Sequence, residues 1–162
     1  MLLIICNLHT KKDTMSYNVL DIANKLLLCA CNTDEGSEFM SNMKLQKMLY
    51  YQQGFHLAYF DEPFFDDEIE AWMYGPVVPE MYEFFKSNGY QGIPPLYLTS
   101  VELTDKEETL FGEVFRTYND YSSIGLMNLT HKERPWKEAG VGVGHVISKE
   151  SMKKYFNTMI TI

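Results

Sequence analysis

The residues best able to do chemistry gather in three short stretches. His131 stands beside Glu133 and Trp136 in the run Leu129-Thr130-His131-Lys132-Glu133-Arg134-Pro135-Trp136. A histidine changes charge near neutral pH, so it is the first candidate for a general acid or base. A loop histidine next to a threonine also serves simply to hold a turn by hydrogen bonds. No nucleophile-elbow sequence accompanies it, and a Ser–His or Cys–His pair is not readable from separation along a chain. Lys44 and Lys47 lie one helical turn apart with Gln46, Tyr50 and Tyr51 close by. They read as a small basic and aromatic face for a partner or ligand, or as a polar flank meeting nearby carboxylates. Asp61, Glu62, Asp66, Asp67, Glu68 and Glu70 crowd carboxylates into one segment. Such a cluster suits a metal, a basic partner or plain solvation, and the EF-hand pattern is absent. Cys6, Cys29 and Cys31 form no CxxC pair, and the histidines at 9, 56, 131 and 145 have no zinc-ligand spacing. The expectation is a chain with no catalytic residue, no metal and no cofactor, its thiols reduced in the cytoplasm.

Length and charge narrow the partners. At 162 residues the chain forms one domain and can bury a sizeable core without disulfides or a metal. Hydrophobic residues at 46% and charged ones at 22% fit a soluble globular protein, with no membrane span. Aromatics at 14% supply core and contact area. The net charge of −8 opposes phosphate backbones, so direct nucleic-acid binding is disfavoured and a basic protein partner favoured.

The elements that position these residues follow from periodicity and caps. A helix over 17–31 is capped by Ser16, with Leu20, Ala23, Leu27, Ala30 and Cys31 as its apolar stripe. An amphipathic helix over 41–59 is capped by Ser41 and buries Leu45, Met48, Leu49, Gln52, Phe55 or His56, and Tyr59. A short extended piece over 69–73 leads to the Gly75-Pro76 turn, which carries Trp72 and Tyr74. Pro79 then opens a helix to about 87. Residues 90–103 form the longest irregular stretch. Thr104 and Glu107 make a capping box for a helix to 119. A short helix spans 122–129, and the motif around His131 is left as a loop. Gly140, Gly142 and Gly144 give a flexible or extended connector, and Ser148 caps the last helix. The fold class is mostly α: a compact single-domain bundle of about six helices with one or two short extended segments. Residues 1–15 differ from the rest, and the expectation is that Met15 is the natural start, with the domain over 16–162.

Three motifs carry a resemblance. Met43-Lys44-Leu45-Gln46-Lys47-Met48-Leu49-Tyr50-Tyr51, then Glu70-Ala71-Trp72-Met73-Tyr74-Gly75-Pro76-Val77-Val78-Pro79, then the run from Leu129 to Trp136, resemble the Panacea domain of SocA-like antitoxins and GepA-type phage-associated proteins. The resemblance implies an antitoxin, not an enzyme, that neutralises a neighbour-encoded cognate toxin by direct protein–protein binding. In the SocA branch it implies an adaptor that delivers the toxin to a Clp-type protease. The partner-binding residues it points to are Lys44, Gln46, Lys47, Tyr50, Tyr51, Trp72, Tyr74, Gly75, Pro76, His131, Pro135 and Trp136. The same motifs also serve as shared scaffold, with the toxin read by loops 60–70 and 90–103. Other readings are a prophage-associated regulator without a toxin, and a small-ligand binder or enzyme using a pocket near His131.

Overall fold

The computed structural model describes residues 2–3, 16–33 and 38–161. Met15, Cys6, His9 and most of the 32–37 loop lie outside them. Seven α-helices occur among the described residues: α1 Val19–Cys31, α2 Asn42–Phe60, α3 Pro79–Phe85, α4 Asp105–Asn119, α5 Ser123–Thr130, α6 Arg134–Ala139 and α7 Lys149–Asn157. The strands are short: β1 Leu2–Leu3, β2 Met40–Ser41, β3 Ile69–Trp72, β4 Gly75–Val77, β5 Gly92–Ile93, β6 Val146–Ile147 and β7 Ile160–Thr161. The mostly α expectation holds.

The other elements are organised around α2. Its residues from Leu45 to Leu57 are all buried, so it is a central helix and not the one-sided helix expected. Its polar side chains act as struts to neighbouring loops and to α4. Gln46 Oε1 accepts from Val78 N at 3.0 Å. Gln52 Nε2 donates to the Phe111 carbonyl at 3.1 Å. Gln53 donates to Phe65 O at 2.7 Å and accepts from Phe64 N at 2.7 Å. Each buried amide is thus satisfied, and each fixes a loop or neighbouring helix against α2. His56 stacks on Phe64 at 4.5 Å and its Nε2 meets Glu107 Oε1 at 3.3 Å. Tyr17 donates to the same carboxylate at 2.6 Å. Burial pushes the Glu107 carboxyl up, but hydrogen bonds from His56, Tyr17 and Thr104 outweigh it and hold the pKa at about 2.

Caps at Ser41, Thr104 and Ser148 accept from the expected first-turn amides, the Thr104–Glu107 capping box is complete, and Ser122 caps α5, which begins at Ser123. The first helix is a correction. Asn18, not Ser16, is the cap, because its Oδ1 reaches Leu20 N at 2.8 Å. Tyr17 instead lies outside the helix and donates its amide to Phe64 O at 2.8 Å. The buried stripe of α1 is Val19, Ile22, Ala23, Leu26, Leu27 and Ala30, while Leu20 and Cys31 are only half-buried.

β3 pairs antiparallel with β4 (Trp72 opposite Gly75) and with β6 (Ile69 opposite Ile147). The glycine connector lies along β3: Gly142 N donates to Ala71 O and Ala71 N to His145 O, both at 2.8 Å. β5 lies within the 90–103 stretch and pairs with β2. β1 pairs in parallel with β7.

α7 packs closest to α2 where Gly54 meets the Phe156 ring. A Cβ at position 54 would stand 2.1 Å from that ring, which is held in turn by Tyr50, Tyr51 and Phe55. Alanine suits a helix interior better than glycine by about 1 kcal/mol. Overpacking a ring that cannot yield outweighs this gain, so Gly54→Ala is expected to destabilise by roughly 1–2 kcal/mol net in urea unfolding. An unchanged or raised midpoint would refute the tight α2–α7 contact.

Candidate functional site

The β3–β4 hairpin, the C-terminal end of α5 and the first turns of α2 meet at one place. The hairpin turns at Met73-Tyr74, both of which are exposed. Gly75 has φ +106°, a conformation that L side chains rarely adopt. Beneath it lies Lys47, only 1% exposed although it carries an ammonium. A Cβ on Gly75 would sit 2.8 Å from Lys47 Cε and 3.0 Å from Thr130 Oγ1. Glycine is therefore required twice here, by backbone angle and by space.

Among the described residues no carboxylate or carbonyl pairs with Lys47 Nζ. Burial alone lowers its pKa from 10.5 to about 8. His131 caps the C-terminal end of α5 and stacks on Trp136 at 4.1 Å. Its Nε2 is buried and has no hydrogen-bond partner. Burial lowers the His131 pKa, the Met73 backbone opposes this, and the nearby positive Lys47 adds to the lowering. Trp136 Nε1 donates to the Trp72 carbonyl at 3.0 Å, tying α6 to the hairpin. Trp72 donates to Glu70 Oε2 at 2.6 Å, and Gly144 N donates to the same oxygen at 2.8 Å. Glu70 is thus occupied in holding the hairpin and glycine connector together. Asp61 pairs with Lys153. No group of three or more metal-ligating side chains occurs among the described residues.

The sequence candidates separate by position. Trp72, Tyr74, His131 and Trp136 are brought together at the hairpin, with Trp72, His131 and Trp136 half-buried. Gly75, Pro76 and Pro135 lie buried beneath them. Gln46, Tyr50 and Tyr51 are interior to the bundle. Lys44 and Lys47 do not share one basic face: Lys44 Nζ donates to the Asn119 carbonyl at 2.5 Å, while Lys47 lies under Gly75. Burial lowers the Lys44 pKa, with Asp120 and Glu38 opposing.

Two features escaped the sequence. The stretch around His131 is not simply a loop, because α6 begins at Arg134 with Pro135 in its first turn. Pro79 had given the same signal for α3. Glu133, 4% exposed, also accepts from Tyr51 at 3.1 and 3.3 Å and from Tyr155 at 3.3 Å. Burial raises its pKa to about 7 despite those hydroxyls. A glutamate between two charged residues in sequence gave no sign that it is the interior one.

Comparison with known proteins places these features in a family. The model described as antitoxin SocA-like, Panacea domain matches residues 45–137, which include Lys47, the hairpin, His131 and Trp136. Antitoxin SocA of Caulobacter vibrioides (strain NA1000 / CB15N) is 37% identical over 78 residues, which are 48% of this chain. The match spans 40% of that protein's length. No solved structure matches the chain.

Proposed function

The chain belongs to the SocA-like antitoxin family carrying the Panacea domain, and from that premise we propose that it is an antitoxin acting by direct binding of a neighbour-encoded toxin. The family match over residues 45–137 carries this reading. In support, the matched segment has the exposed Met73 and Tyr74 at a tip backed by Trp72 and Trp136. Aromatic side chains beside buried polar groups are the usual anchors of a binding surface. The net charge of −8 suits a basic toxin. On this reading the protein acts in the cytoplasm and is not an enzyme. No described helix is long and apolar enough to cross a membrane. Delivery of the bound toxin to a Clp-type protease is the finer step that we infer from the SocA relationship.

The test is co-expression of the tagged chain with its neighbouring genes. A small neighbour-encoded protein, toxic when expressed alone, is expected to co-elute in fixed ratio. Elution of the chain alone, with neither neighbour harming cells, would overturn the antitoxin reading. For the Clp step, the toxin's half-life in the antitoxin's presence is expected to lengthen when the Clp protease is removed. An unchanged half-life leaves masking as the mechanism.

A further inference from the structure

We propose that Lys47 and His131 form a carboxylate-binding site beneath the β3–β4 hairpin. Two nitrogen groups there lack partners for different reasons. Lys47 is 1% exposed beneath Gly75, and no acidic side chain among the described residues stands against its Nζ. His131 Nε2 is buried without a well-formed hydrogen bond, its ring held against Trp136 and influenced by the Met73 backbone. An enclosed ammonium and an enclosed imidazole nitrogen are both costly to leave bare, and both are satisfied by oxygen.

The ligand chemistry follows from the charge available. One lysine neutralises one negative charge, and two nitrogens match two oxygens, which is the inventory of a carboxyl group. A phosphate dianion calls for a second enclosed cation; Lys44 is engaged with the Asn119 carbonyl, and Lys132, beside His131, is exposed. The imidazole fits either proton arrangement. As a neutral acceptor it receives a hydrogen bond from the O–H of a carboxylic acid, and as an imidazolium it donates one to a carboxylate. Gly75 belongs to the same site, because any Cβ there would press on Lys47 and Thr130. Exposed Met73 and Tyr74 stand over this place and offer apolar cover to whatever carries the carboxyl group. The proposal does not rest on the antitoxin reading, since it is tested on the chain alone.

The experiment is NMR of the protein labelled at lysine 13Cε and histidine 15N, with Lys47→Met and His131→Gln assigning the signals. Lysine pKa values are measured with acetate, an amide-capped aspartyl tripeptide, an acetylated tripeptide with a free C-terminal carboxylate, or inorganic phosphate at matched ionic strength. A ligand that binds the protonated lysine raises its apparent pKa, by about one unit when it is present at ten times its dissociation constant. Carboxylates are expected to raise the Lys47 value and to move the His131 Nε2 resonance, with other lysines unchanged. A response to the aspartyl peptide above the others identifies a partner's acidic side chain as the source. A stronger C-terminal peptide response identifies a chain end, and a response to acetate alone identifies a small free acid. No response to any carboxylate, or a larger response to phosphate, would overturn the proposal. An unmoved His131 Nε2 would remove the histidine from the site.

Discussion

Lys47→Met is expected to raise the melting temperature at pH 7 by roughly 4–8 °C, the shift that about 2 kcal/mol produces in a domain of this size. The gain arises because folding buries the Lys47 amine without a counter-charge. Its pKa falls from 10.5 to about 8. A group whose folded pKa lies below its unfolded value releases a proton on folding, so its unfavourable contribution is complete below about pH 8. That contribution is lifted as pH rises from about 8 toward 10.5, and wild-type stability should rise over this interval by about 3 kcal/mol. The measurable window closes near pH 10. Tyr50, Tyr51 and Tyr118, whose pKa values burial pushes well up, then start to favour the unfolded chain. Methionine has similar length and no charge, so it removes both the cost and the pH dependence. Denaturant unfolding of both proteins from pH 7 to 10 checks this. A variant less stable than wild type at pH 7 would show that the Lys47 amine has a stabilising partner in the fold. Should the variant gain stability and lose toxin binding, the lysine is retained for function at the expense of the fold.

Glu133→Gln should separate from wild type in the opposite direction with pH. Burial raises the Glu133 pKa from 4.5 to about 7. The folded state therefore holds a proton that the unfolded chain has lost, and stability from this group is present below pH 4.5 and falls as pH rises to about 7. The loss amounts to about 3 kcal/mol over that window. Glutamine is neutral throughout and keeps oxygen and nitrogen within reach of the Tyr51 and Tyr155 hydroxyls, each able to donate or accept. The variant is expected to resemble wild type near pH 4.5 and to exceed it by about 2–3 kcal/mol above pH 7. The difference between the two urea midpoints across pH 4.5–8 isolates this group from every other titration. A constant difference would mean that Glu133 is solvated or ionised throughout in the folded protein.

These two residues also mark where the sequence was legible. Helix starts were readable because a cap is a local device: Ser41, Thr104 with Glu107, and Ser148 each need only an amide two or three residues away. Local logic failed at Ser16, where the helix starts two residues later with Asn18 capping the Leu20 amide, and Tyr17 is drawn to Phe64 and Glu107. The burial of α2 was hidden because Gln46, Gln52, Gln53 and Lys47 look like a polar face. The partners of the three glutamines, at Val78, Phe111 and Phe65, lie up to 59 positions away. The three motifs around Lys47, Gly75 and His131 were readable as a set. That Lys47 fits against Gly75, that Lys44 turns elsewhere, and that Glu133 enters the core are properties of tertiary contact, which no spacing along the chain encodes.

The most direct test of the antitoxin account is a growth assay with the neighbour-encoded toxin under inducible control. The wild-type chain and a Met73→Ser/Tyr74→Ser variant are supplied in trans. Both altered side chains are exposed, so the variant should unfold at the wild-type temperature. The account predicts that the wild-type chain restores growth and that the equally folded variant does not. A wild-type chain that fails to restore growth against either neighbouring gene contradicts the antitoxin function, and full rescue by the variant contradicts the hairpin as the contact surface.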